Sequence, residues 1–173
     1  FQIKSGYQLN LSSVSTGVLY QQILSGAPFD IFFAADSERP RLLVEQLNLA
    51  DSARRDYARG RLVMVVNNAV VTSVDDLRNY NGRIIMANPA HAPYGQAAQQ
   101  LLDAVGDEGD RVLANNVTQA RQYLSLGLAD VGLIAASVAS GFATIVEIET
   151  TGYDAIEQQV IILKPSTKTD ALV

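Results

Sequence analysis

The residues best suited to chemistry lie in three turns, each of which joins a strand-like run to a helix-like run. The turns read "SSVSTG" at 12–17, "NPAHAPYG" at 88–95 and "ANNVTQ" at 114–119, and none contains lysine or arginine. Their polar donors are neutral side chains: Ser12, Ser13, Ser15, Thr16, Tyr94, Asn115 and Asn116. Neutral donors and the positive dipole end of a helix suit a small, fully ionised oxyanion held away from water. An ordinary helix cap is the alternative interpretation of any single turn.

The second turn also holds His91, the only histidine in the chain. A Ser–His–Asp hydrolase built from Ser15, His91 and Asp36 is one interpretation. The other is a histidine that braces the turn through a ring N–H bonded to a backbone carbonyl. The strings HExxH, GxSxG and GxxxxGK[ST] do not occur, and one histidine without cysteine cannot build a multi-histidine or thiolate cation site. We therefore predict a binding protein that is not an enzyme, with no cofactor and no cation site.

Composition and charge exclude two further classes of protein. The 173 residues include 13 basic and 18 acidic side chains, for a net charge of −5, which argues against a nucleic-acid partner. The longest apolar stretch, 131–146, is interrupted by glycine, serine and threonine and is too short to cross a bilayer. The chain therefore has the composition of a globular domain with a hydrophobic core.

The alternation of strand-like and helix-like runs is typical of the α/β class with mainly parallel sheets. In such sheets a ligand sits beyond the carboxyl ends of the strands, where the three polar turns gather. Strands are predicted at 7–13, 29–36, 61–68, 82–89, 111–116, 129–137, 143–149 and 156–164. Helices are predicted to follow the three polar turns and to cover the run "ERPRLLVEQLNLA".

The domain organisation is predicted from two long β runs, "RLVMVV" at 61–66 and "EQQVIILK" at 157–164. We interpret them as crossover strands between two lobes, with one broad sheet as the alternative. Lobe 1 would comprise 1–59 plus 158–173, and lobe 2 would comprise 60–157. Residues 1–6 read as the last turn of a helix, and 166–173 as the opening of another.

The three turns and their flanks resemble the periplasmic molybdate-binding proteins of bacterial ABC importers, across nearly the whole chain. The resemblance implies a two-lobed fold of the type II periplasmic-binding class that closes on molybdate or tungstate and docks on a membrane permease in the periplasm. The matching segments are "SSVSTGVLYQQILSGAPFDIFFAAD", "YARGRLVMVV", "ANPAHAPYG", "NNVTQA" and "ADVGLIAAS".

The resemblance also implies the site residues. Ser15 and Thr16 match the pair that contacts the oxyanion from the first lobe. Tyr94 matches a contact from the second lobe, and Val117 matches a backbone N–H donor. Some members have a tyrosine at the position of Ala135, and here Tyr94 takes the place of the alanine that accompanies it.

The chain departs from the family pattern at both ends. A first strand and helix with a further polar contact, and the final helices, have no counterpart, so lobe 1 is expected to be incomplete and the chain trimmed. The full-length protein is expected to be a monomer, whereas an exposed sheet edge would allow strand pairing between trimmed chains. The alternatives are a binder of sulfate, phosphate or a small carboxylate, and the effector domain of a transcription regulator.

Overall fold

The computed structural model describes residues 5–170. Its helices are α1 (Thr16–Leu24), α2 (Glu38–Gln46), α3 (Pro93–Val105), α4 (Val117–Ser125) and α5 (Thr167–Asp170). Its strands are β1 (Ile31–Ala34), β2 (Arg54–Gly60), β3 (Leu62–Val66), β4 (Ile84–Ala87), β5 (Arg111–Ala114), β6 (Val131–Ala135), β7 (Thr144–Glu147) and β8 (Ile156–Ile162). Strands and helices alternate through most of the chain, which confirms the predicted α/β class. Within residues 5–170 no helix has both the length and the apolar character that a membrane span requires.

The chain forms two compact units. Unit 1 comprises the described parts of Phe1–Ala58 and Gln158–Val173, and unit 2 is Arg59–Glu157. Each unit has its own sheet, and each is described separately below.

Unit 1 contains a three-stranded sheet in the order β1–β8–β2, and β1 runs antiparallel to β8. The core consists of apolar side chains from α1, α2 and the sheet: Tyr20, Ile23, Phe32, Ala34, Leu43 and Ile161. Because β1 alternates between buried and exposed residues, its buried face carries Phe32 and Ala34 towards the helices. Strands β1 and β2 are the sheet edges, and the pairing of such edges between chains stays a prediction.

Unit 2 contains a five-stranded sheet in the order β5–β4–β6–β3–β7. Strand β4 runs parallel to β5 and β6, whereas β3 runs antiparallel to β6 and β7. Helix α4 packs Ala120 and Leu124 against Val63, Val65 and Ile85 of the sheet. The sheet of unit 2 is therefore mixed, and β1 and β8 of unit 1 are antiparallel, so the expectation of mainly parallel sheets was wrong. All five residues of β3 are buried. A continuous apolar run therefore indicates that a strand is buried on both faces, but it does not indicate whether its neighbours run parallel or antiparallel to it.

The strands that pass from one unit to the other are β2 and β8. Strand β8 was predicted, but β3, the other predicted crossover, lies wholly within unit 2. Sequence reasoning missed β2 because its residues, "RRDYARG", are mostly exposed and show no alternation of apolar side chains.

Two further predictions concern the ends of the chain. Residues 7–13 alternate in polarity, yet the structure assigns them no strand, so the strand predicted there was wrong. Alternating polarity over a short run indicates which side chains can share a face, and it does not by itself specify a strand. The helix predicted to open at 166–173 is present as α5, and residues 171–173 lie outside the described part. The helix end predicted for 1–6 falls mostly outside it, although Gly6 has the positive φ (72°) expected of a helix-ending glycine.

Candidate functional site

The N-terminus of α1, in unit 1, begins with Ser15. The residue has an extended backbone (φ −65°, ψ 150°), and its carbonyl oxygen accepts the N–H groups of Val18 and Leu19 at 3.1 Å each. The Ser15 side chain makes no capping hydrogen bond, and the residue is only 5% exposed. Its Oγ is buried and has no hydrogen-bond partner within residues 5–170. A buried hydroxyl without a partner is costly, so it marks a position that a ligand atom can complete.

Thr16 is the first residue of α1 and is also buried, at 6% exposure. Its Oγ1 accepts the N–H of Ala35 at 3.1 Å. Since Ala35 directly follows β1, this bond joins the start of α1 to the carboxyl end of β1. The bond uses a lone pair of the hydroxyl and leaves its O–H as the donor towards another acceptor.

The residue after Ala35 is Asp36, whose carboxylate belongs to an ion pair. Asp36 Oδ1 accepts the backbone N–H of Arg39 at 2.9 Å, and Oδ2 pairs with the Arg39 guanidinium. The two side chains are 13% (Arg39) and 15% (Asp36) exposed. Asp36 is therefore engaged by an arginine on α2, a partner that sequence reasoning did not find.

In unit 2, two helix N-termini lie side by side because they follow neighbouring parallel strands. Ala87 of β4 is in register with Ala114 of β5, and the N–H of Asn88 donates to the Ala114 carbonyl at 2.7 Å. Tyr94, 7% exposed, is the second residue of α3, and half-buried Val117 is the first residue of α4. The structure thus places Tyr94 and Val117 at one edge of the sheet.

The start of α3 approaches the end of β4 very closely, and Gly95 makes this approach feasible. A Cβ at this position would meet the carbonyl oxygen of Ala87 and would lie 2.8 Å from the carbonyl carbon of Asn88. The glycine in "APYG" therefore has a packing role that holds the neighbouring Tyr94 against the turn.

Asn88 holds the turn between β4 and α3. Its Oδ1 accepts the N–H of Ala90 at 2.9 Å, and its carbonyl accepts the N–H groups of His91 and Ala92 at 3.1 and 2.9 Å. These bonds, rather than a ring N–H of His91, brace the turn in the described structure, and His91 itself is exposed. Asparagine before proline is a turn signal, so the sequence indicated a turn at Asn88. It did not indicate that the Asn88 side chain, rather than His91, would hold that turn.

The start of α4 uses its asparagines as caps. Asn116 Oδ1 accepts the N–H of Gln119 at 2.8 Å, and Gln119 Oε1 accepts the N–H of Asn115 at 2.6 Å. This reciprocal arrangement is a variant of the capping box. The amide oxygen of Asn116 is thus occupied by the helix, in agreement with the cap interpretation of this turn.

Ala135, the position at which some relatives are expected to have tyrosine, ends β6 and is 1% exposed. Since β6 runs parallel to β4, Ala135 lies at the carboxyl edge that also carries Tyr94 and Val117. Within residues 5–170 no group of three or more metal-ligating side chains forms a cation site.

The predicted site residues thus form two pairs, each in a different unit. Ser15 and Thr16 begin α1 in unit 1, whereas Tyr94 and Val117 share a sheet edge in unit 2. Each pair lies at the N-terminal end of helices that are at least nine residues long. The donors of each pair are buried or half-buried. Both arrangements favour binding of an anion.

Residues 1–173 match the family described as bacterial extracellular solute-binding proteins. The chain is 34% identical over 146 residues to the molybdate-binding protein ModA of Azotobacter vinelandii. The matched region covers 79% of this chain and 57% of that protein. It is 30% identical over 181 residues to ModA of Rhodobacter capsulatus, covering 99% of this chain and 71% of that protein.

A solved structure of the Azotobacter vinelandii periplasmic molybdate-binding protein superposes with a TM-score of 0.87 at 30% identity, over 98% of this chain and 80% of that one. The chain therefore belongs to the bacterial extracellular solute-binding protein family and has the fold of periplasmic binding proteins, as predicted. This family consists of binding proteins, which confirms the prediction that the chain is not an enzyme. The chain spans between about half and three quarters of the length of these two curated relatives.

Proposed function

We propose that the chain binds molybdate or tungstate, with units 1 and 2 acting as the two lobes that close around the oxyanion. Ser15 and Thr16 would contact it from unit 1, and Tyr94 and the N–H of Val117 from unit 2. The lobes would hinge through β2 and β8, the strands that connect the units.

The observation that carries this proposal is the buried Ser15 Oγ at the start of α1, which has no hydrogen-bond partner among residues 5–170. An acceptor oxygen of a ligand would satisfy this hydroxyl, and the helix dipole would favour a ligand with negative charge. The Thr16 hydroxyl is a second donor for the ligand. Its oxygen also accepts the N–H of Ala35, and this bond orients the hydroxyl group next to the end of β1. The relatives named above, which are molybdate-binding proteins, support the choice of oxyanion.

We further propose that the protein acts in the periplasm and delivers its ligand to the permease of an ABC importer. Membership in an extracellular solute-binding family supports this placement. The net charge of −5 agrees with a partner other than nucleic acid.

The proposal is tested by isothermal titration of the purified chain with molybdate, tungstate, sulfate and phosphate. We expect one site per chain that prefers molybdate and tungstate. A preference for sulfate or phosphate would overturn the ligand assignment and favour the alternative oxyanion binder. Absence of heat and of thermal stabilisation with all four anions would overturn the proposed function.

A further inference from the structure

We propose that the Asp36–Arg39 ion pair sets which ligand charge the site accepts, because Arg39 neutralises a carboxylate that would otherwise repel a doubly charged oxyanion. The inference rests on the proposed function and concerns residues of unit 1 only. Neither side chain is proposed to touch the ligand. Arg39 is a positioning and charge-setting residue that acts through Asp36.

The Asp36 carboxylate lies close to the start of α1. Thr16 Oγ1 is bonded to the N–H of Ala35, and Asp36 is the next residue in the chain. Standard bond lengths then place the Asp36 carboxylate within roughly 12 Å of the Thr16 hydroxyl. A negative charge at this range acts against a dianion held at the start of α1.

Both oxygens of the Asp36 carboxylate are engaged by Arg39. One oxygen accepts the backbone N–H of Arg39, and the other pairs with its guanidinium. Because both side chains are at least 85% shielded from solvent, water and salt screen them less than a surface pair. The pair therefore presents almost no net charge to the ligand, and its loss would expose one full negative charge.

The effect of an unpaired Asp36 carboxylate depends on the charge of the ligand. The repulsion grows in proportion to the charge of the anion, so a dianion feels twice the effect of a monoanion at the same place. A purely structural role for the ion pair would weaken the binding of both anions equally. Molybdate and perrhenate, two tetrahedral oxyanions with charges of −2 and −1, separate these cases.

The test uses Arg39→Gln, Asp36→Asn and the double variant in the full chain, with dissociation constants for molybdate and perrhenate measured by titration calorimetry. We expect Arg39→Gln to weaken molybdate binding by about tenfold and perrhenate binding by about threefold, the square root of that factor. The double variant removes both charges, and we expect it to bind molybdate within about threefold of the wild type. Asp36→Asn keeps an acceptor for the Arg39 N–H, and we expect it to bind molybdate at least as tightly as the wild type.

The matched control is Arg41→Gln, which removes the same charge from the same helix. Arg41 pairs with Glu45 at 2.6 Å, and its side chain is 49% exposed, so screening by water should leave both affinities nearly unchanged. Circular dichroism and thermal melting check that each variant is folded.

Four results would overturn the inference. Equal weakening of both anions by Arg39→Gln, or no weakening in a protein whose wild type binds molybdate, would refute the charge-setting role alone. A double variant that binds no better than Arg39→Gln would also refute it. A wild type that binds none of the oxyanions would overturn the proposed function and this inference with it, so the two failures are distinguishable.

Discussion

Replacement of Ser15 by alanine should have opposite effects on the free and the ligand-bound protein. The Ser15 hydroxyl is buried and unpaired within the described residues, and it does not cap α1. Leaving a polar group in this state costs about 1–3 kcal/mol. Ser15→Ala should therefore raise the free energy of unfolding of the free protein by about 1 kcal/mol, which corresponds to a rise in Tm of about 2–4 °C for a chain of this size.

The bound protein should respond in the other direction. A hydrogen bond to a charged ligand is worth about 1.5–3 kcal/mol, so Ser15→Ala should weaken molybdate binding by about tenfold to a hundredfold. At a ligand concentration one hundred times the wild-type Kd, molybdate stabilises the wild type by about 2.7 kcal/mol. The variant with a tenfold weaker site would gain only about 1.4 kcal/mol under the same conditions.

The assay is a pair of thermal melts for each protein, without molybdate and with it, combined with titration calorimetry. Ser25→Ala, at an exposed position at the other end of α1, is the control and should change neither quantity. The reasoning is refuted if Ser15→Ala lowers the stability of the free protein by 1 kcal/mol or more, or if the variant keeps the wild-type affinity.

The remaining predictions concern the other donors, the packing of α3 and one surface carboxylate. Thr16→Ala and Tyr94→Phe should each weaken molybdate binding by about tenfold to a hundredfold in calorimetric titrations, because each removes one hydroxyl donor. Gly95→Ala should lower the free energy of unfolding by about 1–3 kcal/mol in urea titrations, since a methyl group there would meet the carbonyl of Ala87. Hydrogen bonds from Thr72 and Ser73 lower the pKa of Asp76. The stability that Asp76 contributes is therefore present above the ordinary value of 3.8 and is lost as pH falls through its lowered pKa, so the difference between wild type and Asp76→Asn in urea should shrink in acid.

The predictions for Tyr94, Gly95 and Asp76 each have a control variant and a result that would contradict them. Tyr123→Phe is the control for the tyrosine, and equal losses of affinity in both variants would contradict a ligand contact. Gln96→Ala, at an exposed position on α3, is the control for the glycine, and a Gly95→Ala protein as stable as the wild type would contradict the close approach. Asp75→Asn removes a neighbouring negative charge and is the control for charge alone. If the difference in the free energy of unfolding between wild type and Asp76→Asn stays constant with pH, the proposed effect of the hydrogen bonds to Asp76 is wrong.

The parts of the candidate site differ in how strongly the sequence predicted them. The helix after "NPAHAPYG" was predictable, because Pro93 is favoured in the first turn and apolar residues recur every three or four positions towards Gly106, which has a positive φ of 74°. The serine-rich turn before α1 indicated hydroxyl donors at Ser12, Ser13, Ser15 and Thr16, and the choice of Ser15 and Thr16 among them came from the family resemblance. The bond from Ala35 to Thr16 was not predictable, because it joins residues 19 positions apart.

The sequence by itself determined the α/β class, most of the helix starts and the neutral character of the three turns, because these depend on local composition and periodicity. Tertiary structure alone decided the mixed direction of the sheets, the identity of β2 as a connecting strand and the partner of Asp36. Strand direction and ion pairing are set by which segments become neighbours in space, and a buried apolar run such as β3 looks the same whichever way its neighbours run. The proposed function depends most on the Ser15 Oγ, which is buried and unpaired within the part of the chain that the structure describes. For the same reason this state is a property of the fold and not of the serine-rich turn.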